Sequence, residues 1–240
     1  MKINKNMGRL LLMTAVAATL AAVTAQAQYL NTFDTPGSIT TGTRTYNPPP
    51  TWVGYDYGNA TADSVAWSSL DAAGNPSSGS VELNWTWDYA DNGAGSAGFT
   101  FDIYPYPGVS YVGGTLSFDL YLASSSTPGG YSDYGYFQVF TRDTSYDDNA
   151  TSLGEGLSTA AGGVGVWTLV TIPLDATSGN SIRAITFQDY NDSGRSINGS
   201  ETIYIDNLQL TPVPEPSSIA LVGLGLAGLL FVRRNRTAKS

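Results

Sequence analysis

Between Val81 and Tyr89 the chain reads VELNWTWDY. Val81, Leu83, Trp85, Trp87 and Tyr89 take the odd positions, and Glu82, Asn84, Thr86 and Asp88 fall between them. Side chains of an extended strand point alternately to opposite faces, so this period of two commits the stretch to a strand with one face buried. Leu116, Phe118, Leu120 and Leu122 repeat the pattern against Thr115, Ser117, Asp119 and Tyr121, and Phe99, Phe101 and Ile103 mark another strand. Residues 136–141, 166–174, 182–188 and 202–210 complete the set. Turn formers separate them: Asn75-Pro76, Asn92-Gly93, Gly113-Gly114, Gly129-Gly130, Ser178-Gly179-Asn180 and Ser193-Gly194. No apolar period of 3.6 of useful length runs through the region. Seven or more strands joined by such turns predict an all-β, antiparallel β-sandwich over residues 28–211. Trp85 and Trp87 share the apolar face of their strand and are expected in the core, as is Trp167.

The two ends follow different rules. Lys2, Lys5 and Arg9 precede an apolar run from Leu10 to Val23, and Ala25-Gln26-Ala27 offers the small-x-small pattern of a signal-peptidase site. Residues 1–27 therefore read as a signal peptide of an exported chain. The C-terminal run from Ile219 to Val232 predicts an apolar helix of fourteen residues. It would reach only ~21 Å against a hydrocarbon core of ~30 Å. Arg233 and Arg234 behind it favour a cytoplasmic end. Val213-Pro214-Glu215-Pro216, the apolar run and the arginine cluster together resemble the PEP-CTERM sorting signal, here 212–240. That resemblance implies an exosortase-type processing enzyme, an inner-membrane intermediate held by the C-terminal helix, and removal of the tail near Pro214, Glu215 and Pro216. It also implies a Gram-negative, exopolysaccharide-making host, with the protein bound for the cell surface or extracellular matrix.

Removing both ends leaves four arginines, no lysine and nineteen acids, a net charge near −15. Nucleic acid and anionic membrane surfaces are poor partners for that field, whereas cations, calcium above all, are suitable ones. The chain has no cysteine and no histidine. Disulfides, Ser-His and Cys-His nucleophiles, and imidazole or thiolate metal sites are thereby excluded. The chemistry left is that of carboxylates, chiefly glycoside hydrolysis. The acids are spread along loops and outer strand faces as for solvation, so no catalytic residue is assigned. Asp143, Asp147 and Asp148 read as a solvated loop.

Five segments carry a second resemblance: NTFD from Asn31, GGTLSFDLYL from Gly113, VWTLVTIPLD from Val166, IRAITFQDYND from Ile182 and TIYIDNLQL from Thr202. Together they look like a carbohydrate-binding-module jelly roll of the broad galactose-binding-like type. The resemblance implies a structural calcium held by Asp34 and Asp206, which would fasten the first strand to the last. The same two residues also read as a turn residue before Pro36 and a bulge cap. Aromatic rings stack on the apolar faces of sugars. Two groups of rings are candidates for such stacking. Trp52, Tyr55 and Tyr57 lie in a loop-like, Gly-rich segment after Pro48-Pro49-Pro50, and Tyr131, Tyr134 and Tyr136 follow the Gly129-Gly130 turn. Each group also reads as tyrosines anchoring loops. The expected function is non-catalytic binding of extracellular polysaccharide. A structural or adhesive surface protein without sugar specificity is the alternative, and a carboxylate glycosidase the third reading.

Overall fold

A computed structural model describes residues 29–39, 51–57, 60–88, 95–103, 111–126, 134–142, 148–179, 182–191 and 198–213. The signal peptide, Pro214, Glu215, Pro216, Arg233, Arg234 and the C-terminal helix lie outside the described residues, as do Tyr131, Asp143 and Asp147. The described strands are β1 (Tyr29–Asn31), β2 (Thr51–Tyr57), β3 (Ala60–Ser68), β4 (Ser80–Asp88), β5 (Gly95–Asp102), β6 (Thr115–Leu122), β7 (Tyr136–Arg142), β8 (Asp148–Gly156), β9 (Trp167–Pro173), β10 (Ala184–Asn191) and β11 (Asn198–Thr211). A 3-10 turn covers Pro36–Ser38, and one helical turn, α1, covers Leu157–Ala160.

These strands form two antiparallel sheets. The six-stranded sheet runs β3-β4-β11-β6-β9, with β1 also paired to β11; the five-stranded sheet runs β2-β5-β10-β7-β8. The period of two places Val81, Leu83, Trp85 and Trp87 of β4 inside, beside Leu116, Phe118, Leu120 and Leu122 of β6. Phe99 and Phe101 of β5, Phe137 and Val139 of β7, and Ile185 and Phe187 of β10 close over them from the second sheet. Phe118 and Phe187 meet edge to face across the interior at 5.2 Å between centroids. Each such side chain removed from water contributes roughly 1.5–3 kcal/mol. The sandwich expected from the alternation is the architecture found.

Four strands lie outside the seven expected. β3 and β8 are polar sequences, ATADSVAWS and DNATSLGEG, recruited by pairing with β4 and β7. β1 is three residues held by β11. The 51–57 segment, loop-like by its sequence, is β2, in register with β5 from Thr51↔Asp102 to Tyr57↔Ser96. Asp148, expected in a solvated loop, opens β8. Trp167 is not in the core: it stands half-buried on β9, with its ring 5.3 Å from that of Tyr121. The inward positions of β9 belong to Val170 and Ile172, while Leu169 is 66% exposed.

Polar groups are buried as well, Glu201 among them. Glu201 of β11 is fully buried opposite Trp85 and accepts the indole N–H of both Trp85 and Trp87, the latter at 3.0 Å. Removing the acceptor shared by two buried indole N–H groups costs about 1–3 kcal/mol for each donor left unsatisfied. Glu201→Ala should therefore lower unfolding stability by about that amount per indole, and Glu201→Gln, which retains an acceptor, by clearly less; urea unfolding of both variants checks the order.

Candidate functional site: the outer face of the five-stranded sheet

β10 lies at the centre of the five-stranded sheet between β5 and β7. Its odd positions Ile185 and Phe187 enter the core, so Thr186, Gln188 and Tyr190 stand on the outer face. Register supplies their neighbours. Gln188 pairs with Gln138 of β7, Tyr190 with Tyr136, and Thr186 with Thr100 of β5. The side chains are tied to one another: Gln188 Nε2 donates to Gln138 Oε1 at 2.9 Å, Thr100 and Thr186 share a 2.9 Å hydroxyl bond, and Arg142 Nε donates to Thr186 Oγ1 at 2.9 Å.

The face is thus graded along the strands. One end carries Tyr136 and Tyr190, the middle carries an amide pair, and the other end carries hydroxyls and a guanidinium. The Thr100 and Thr186 hydroxyls are fully buried, so a ligand would meet the half-buried tyrosines, amides and guanidinium, with the amides already oriented by their mutual bond. Rings supply apolar faces, and amides and guanidinium supply directional partners for hydroxyls.

The six aromatic candidates fare differently. Tyr136 belongs to this face. The backbones of Tyr55 and Tyr57 are in register with Gly98 and Ser96, and Ser96 is itself opposite Tyr190; their side chains, like the whole of Tyr131, lie outside the described residues. Tyr134 takes a left-handed φ of 61° and packs against the core. Gly135 beside it has φ 84°, and a Cβ there would collide with the Asp189 carboxylate. Trp52 is a correction. It is 1% exposed, stacks on Phe101 at 4.7 Å and 24°, and lies 6.0 Å from Phe187. Strand pairing turns its ring inward, so it offers no platform on the surface. Gln138, Gln188, Tyr190 and Arg142 escaped the sequence reading because polar outward positions of a strand look like ordinary solvated residues.

Asp34 and Asp206 meet opposite ends of one loop, the β3–β4 connection. Asp34 is exposed and accepts the hydroxyls of Ser78 and, at 2.5 Å, Thr32; these bonds hold its carboxyl below the ordinary range. Asp206 is buried at a bulge in β11 and accepts the amides of Ala72 at 3.1 Å and Asn207 at 2.7 Å. Asn207, at φ 50°, bonds Asp119 in turn. Calcium needs six to eight oxygen ligands. Among the described residues no group of three or more acidic, histidine or cysteine side chains could hold a metal. Both carboxylates are already occupied by donors of this loop and its flanks.

Burial pushes the Asp206 carboxyl from its ordinary 3.8 up to about 6, with the amides of Ala72 and Asn207 opposing the shift. The folded state then binds a proton that the unfolded state has released between about pH 4 and 6, so this group's contribution to stability is largest below pH 4 and is lost as pH rises through 6. The thermal midpoint of wild type minus that of Asp206→Asn should accordingly fall between pH 4 and pH 7, a slope read by thermal unfolding at both values.

Residues 212–236 match the PEP-CTERM protein-sorting motif. The sequence matches no curated protein. Among solved structures, similar ones include a β-1,2-glucanase from Parabacteroides distasonis, at 17% identity and TM-score 0.47, covering 69% of this chain and 24% of the glucanase. A Caldicellulosiruptor saccharolyticus CBM27 module in complex with mannohexaose has 15% identity and TM-score 0.42, over 65% of this chain and 85% of the module. A CBM28 module specific for non-crystalline cellulose has 12% identity and TM-score 0.37, over 60% and 78%. The chain spans about a quarter of the glucanase. Among the described residues no helix is long and apolar enough to cross a membrane. The chain thus joins an antiparallel β-sandwich to the sorting motif of exported, exosortase-processed proteins.

Proposed function

We propose that the mature protein is a non-catalytic glycan-binding sandwich, delivered through exosortase processing to the cell surface or exopolysaccharide matrix of a Gram-negative bacterium. The observation that carries this reading is the row of half-buried tyrosines, paired amides and guanidinium on the outer face of the five-stranded sheet. The net charge near −15 directs the choice toward neutral polysaccharide, because an acidic one would be repelled. A calcium ion held by Asp34 and Asp206 is not part of the proposal, because hydrogen-bond donors at opposite ends of the β3–β4 loop already engage the two carboxylates. The adhesive reading draws on a separate observation: no charged residue occurs from Leu157 to Leu174, and Val166 and Leu169 are exposed there.

Two measurements test the proposal. Tyr190→Ala and Gln188→Ala should each weaken binding to the host's neutral exopolysaccharide roughly tenfold, about 1.4 kcal/mol, with unchanged unfolding curves. Equal binding by both variants would remove the outer face from the account. The intact mass of protein recovered from envelope and medium should lack residues 1–27 and the segment after about Val213. Replacing Pro214, Glu215 and Pro216 by alanine should retain the tail.

A further inference from the structure

Register places a second row of rings on the outer face of the other sheet. In the six-stranded sheet Trp167 of β9 is opposite Tyr121 of β6, Tyr121 is opposite Tyr204 of β11, and Tyr204 is opposite Glu82 of β4. The row therefore crosses four neighbouring strands at one level. All four residues are half-buried rather than enclosed. The ring centroids of Trp167 and Tyr121 are 5.3 Å apart, and those of Tyr121 and Tyr204 are 5.7 Å apart.

Polar groups continue the row at its β4 end. The Tyr204 hydroxyl bonds the Glu82 carboxylate, which also accepts Asn84 Nδ2 at 2.8 Å. Asn84 Oδ1 in turn accepts the Thr202 hydroxyl at 2.5 Å. Rings thus lead into a carboxylate and an amide held in one arrangement, the combination of apolar surface and directional partners that a sugar requires. Cross-strand ring pairs also stabilise a sheet. Here the apolar surface extends past the pairs, because Leu169, the next outward residue of β9, is 66% exposed.

Charge selects the occupant. The acids beside the row, Glu82 and Asp119, and a mature net charge near −15 repel an acidic polymer and a second copy of this chain alike. A basic partner would find Glu82 already engaged by two donors. A neutral polymer meets neither obstacle. The rings are tilted 49° and 72° to one another, so they form no single plane and suit one chain rather than the flat surface of a fibre.

We propose that this row is a second glycan-binding site, for one chain of neutral polysaccharide lying across β9, β6 and β11, and that the sandwich cross-links chains by holding one on each outer face. The two sheets pack their inner faces together, so their outer faces point in opposite directions. A sandwich with one site coats a polymer, and one with two sites bridges it. The inference rests on the glycan-binding reading for its ligand class and for the first of the two faces; the residues of the row are its own.

The test uses mature protein recovered from its host, with the host's neutral exopolysaccharide, glucomannan and hydroxyethylcellulose as probes and alginate as the acidic control. Hydroxyl-radical footprinting of the wild type compares oxidation of Trp167, Tyr121 and Tyr190 with and without each polymer. The expected result is loss of oxidation at all three residues with at least one neutral polymer and no loss with alginate. Turbidity should pass through a maximum as protein is added to that polymer and fall at excess protein, as for a bivalent linker. Trp167→Thr and Tyr190→Ala should each bind roughly tenfold more weakly, since avidity is lost, and each should lose the turbidity maximum. The footprint needs no variant, so it decides the matter if Trp167→Thr unfolds.

Unchanged oxidation of Trp167 and Tyr121 with every neutral polymer overturns the proposal, as does a turbidity maximum that survives in folded Trp167→Thr. Protection of Trp167 on raising protein concentration without polymer makes the row an interface between copies and also overturns it. Protection of Tyr190 beside an unprotected Trp167 removes the row and leaves the first face. Protection of Trp167 beside an unprotected Tyr190 removes the first face and overturns the bridge.

Discussion

A carboxylate inside the sandwich governs how the rest is arranged. Glu201 can be buried because two indoles from one strand reach it, and those indoles stand two residues apart only because β4 is extended. The contact therefore specifies register as well as stability. Slipping β4 by one residue against β11 would turn both tryptophans outward and leave the acid in an apolar layer. In a chain with no cysteine to staple and no lysine between its two ends, such an interior polar contact is one of few devices that distinguish one pairing from its neighbours.

The two faces of the five-stranded sheet divide labour by parity. Inward positions on β5, β7 and β10 are mostly aromatic or aliphatic, with Thr141 and Asp189 among the polar exceptions. Outward positions include hydroxyl, amide, guanidinium and phenol groups beside Phe140, several of them cross-linked so that one strand orients its neighbour's side chains. β5 is buried along its whole length on both faces, and it achieves this with small residues: Ser96, Gly98 and Thr100 lie between the longer side chains of adjacent strands. Rigid strands carry the polar row, so its geometry is set by the sheet rather than by loops.

Much of the sandwich was legible because alternation is a local signal: Val81 to Trp87 and Leu116 to Leu122 declare their faces within the strand itself. β3 and β8 carry no such signal, and their strand character comes from partners distant in sequence. Trp52 misled because Pro48-Pro49-Pro50 and Gly54 read as loop chemistry, whereas pairing with β5 decides its direction. Trp167 misled in the opposite sense, since a tryptophan beside apolar neighbours reads as core while the parity of β9 gives the interior to Val170 and Ile172. Asp34 and Asp206 were visible as notable acids, but the loop they share joins residues far apart in the chain. Glu201 was silent for the same reason: its meaning depends on which two indoles lie across the ladder.

The pairing of β1 with β11 bears on the order of events in export. Tyr29 is opposite Leu210 and Asn31 opposite Leu208, so the strand nearest the N-terminus completes its hydrogen bonds only with the strand that ends just before the sorting motif. For a chain threaded out from its N-terminus, β1 and the central position of the six-stranded sheet stay unfilled until nearly every residue has crossed. Contacts of such long sequence separation also form slowly. Completion of this sheet therefore has to wait for β11, whose last residue, Thr211, directly precedes the motif.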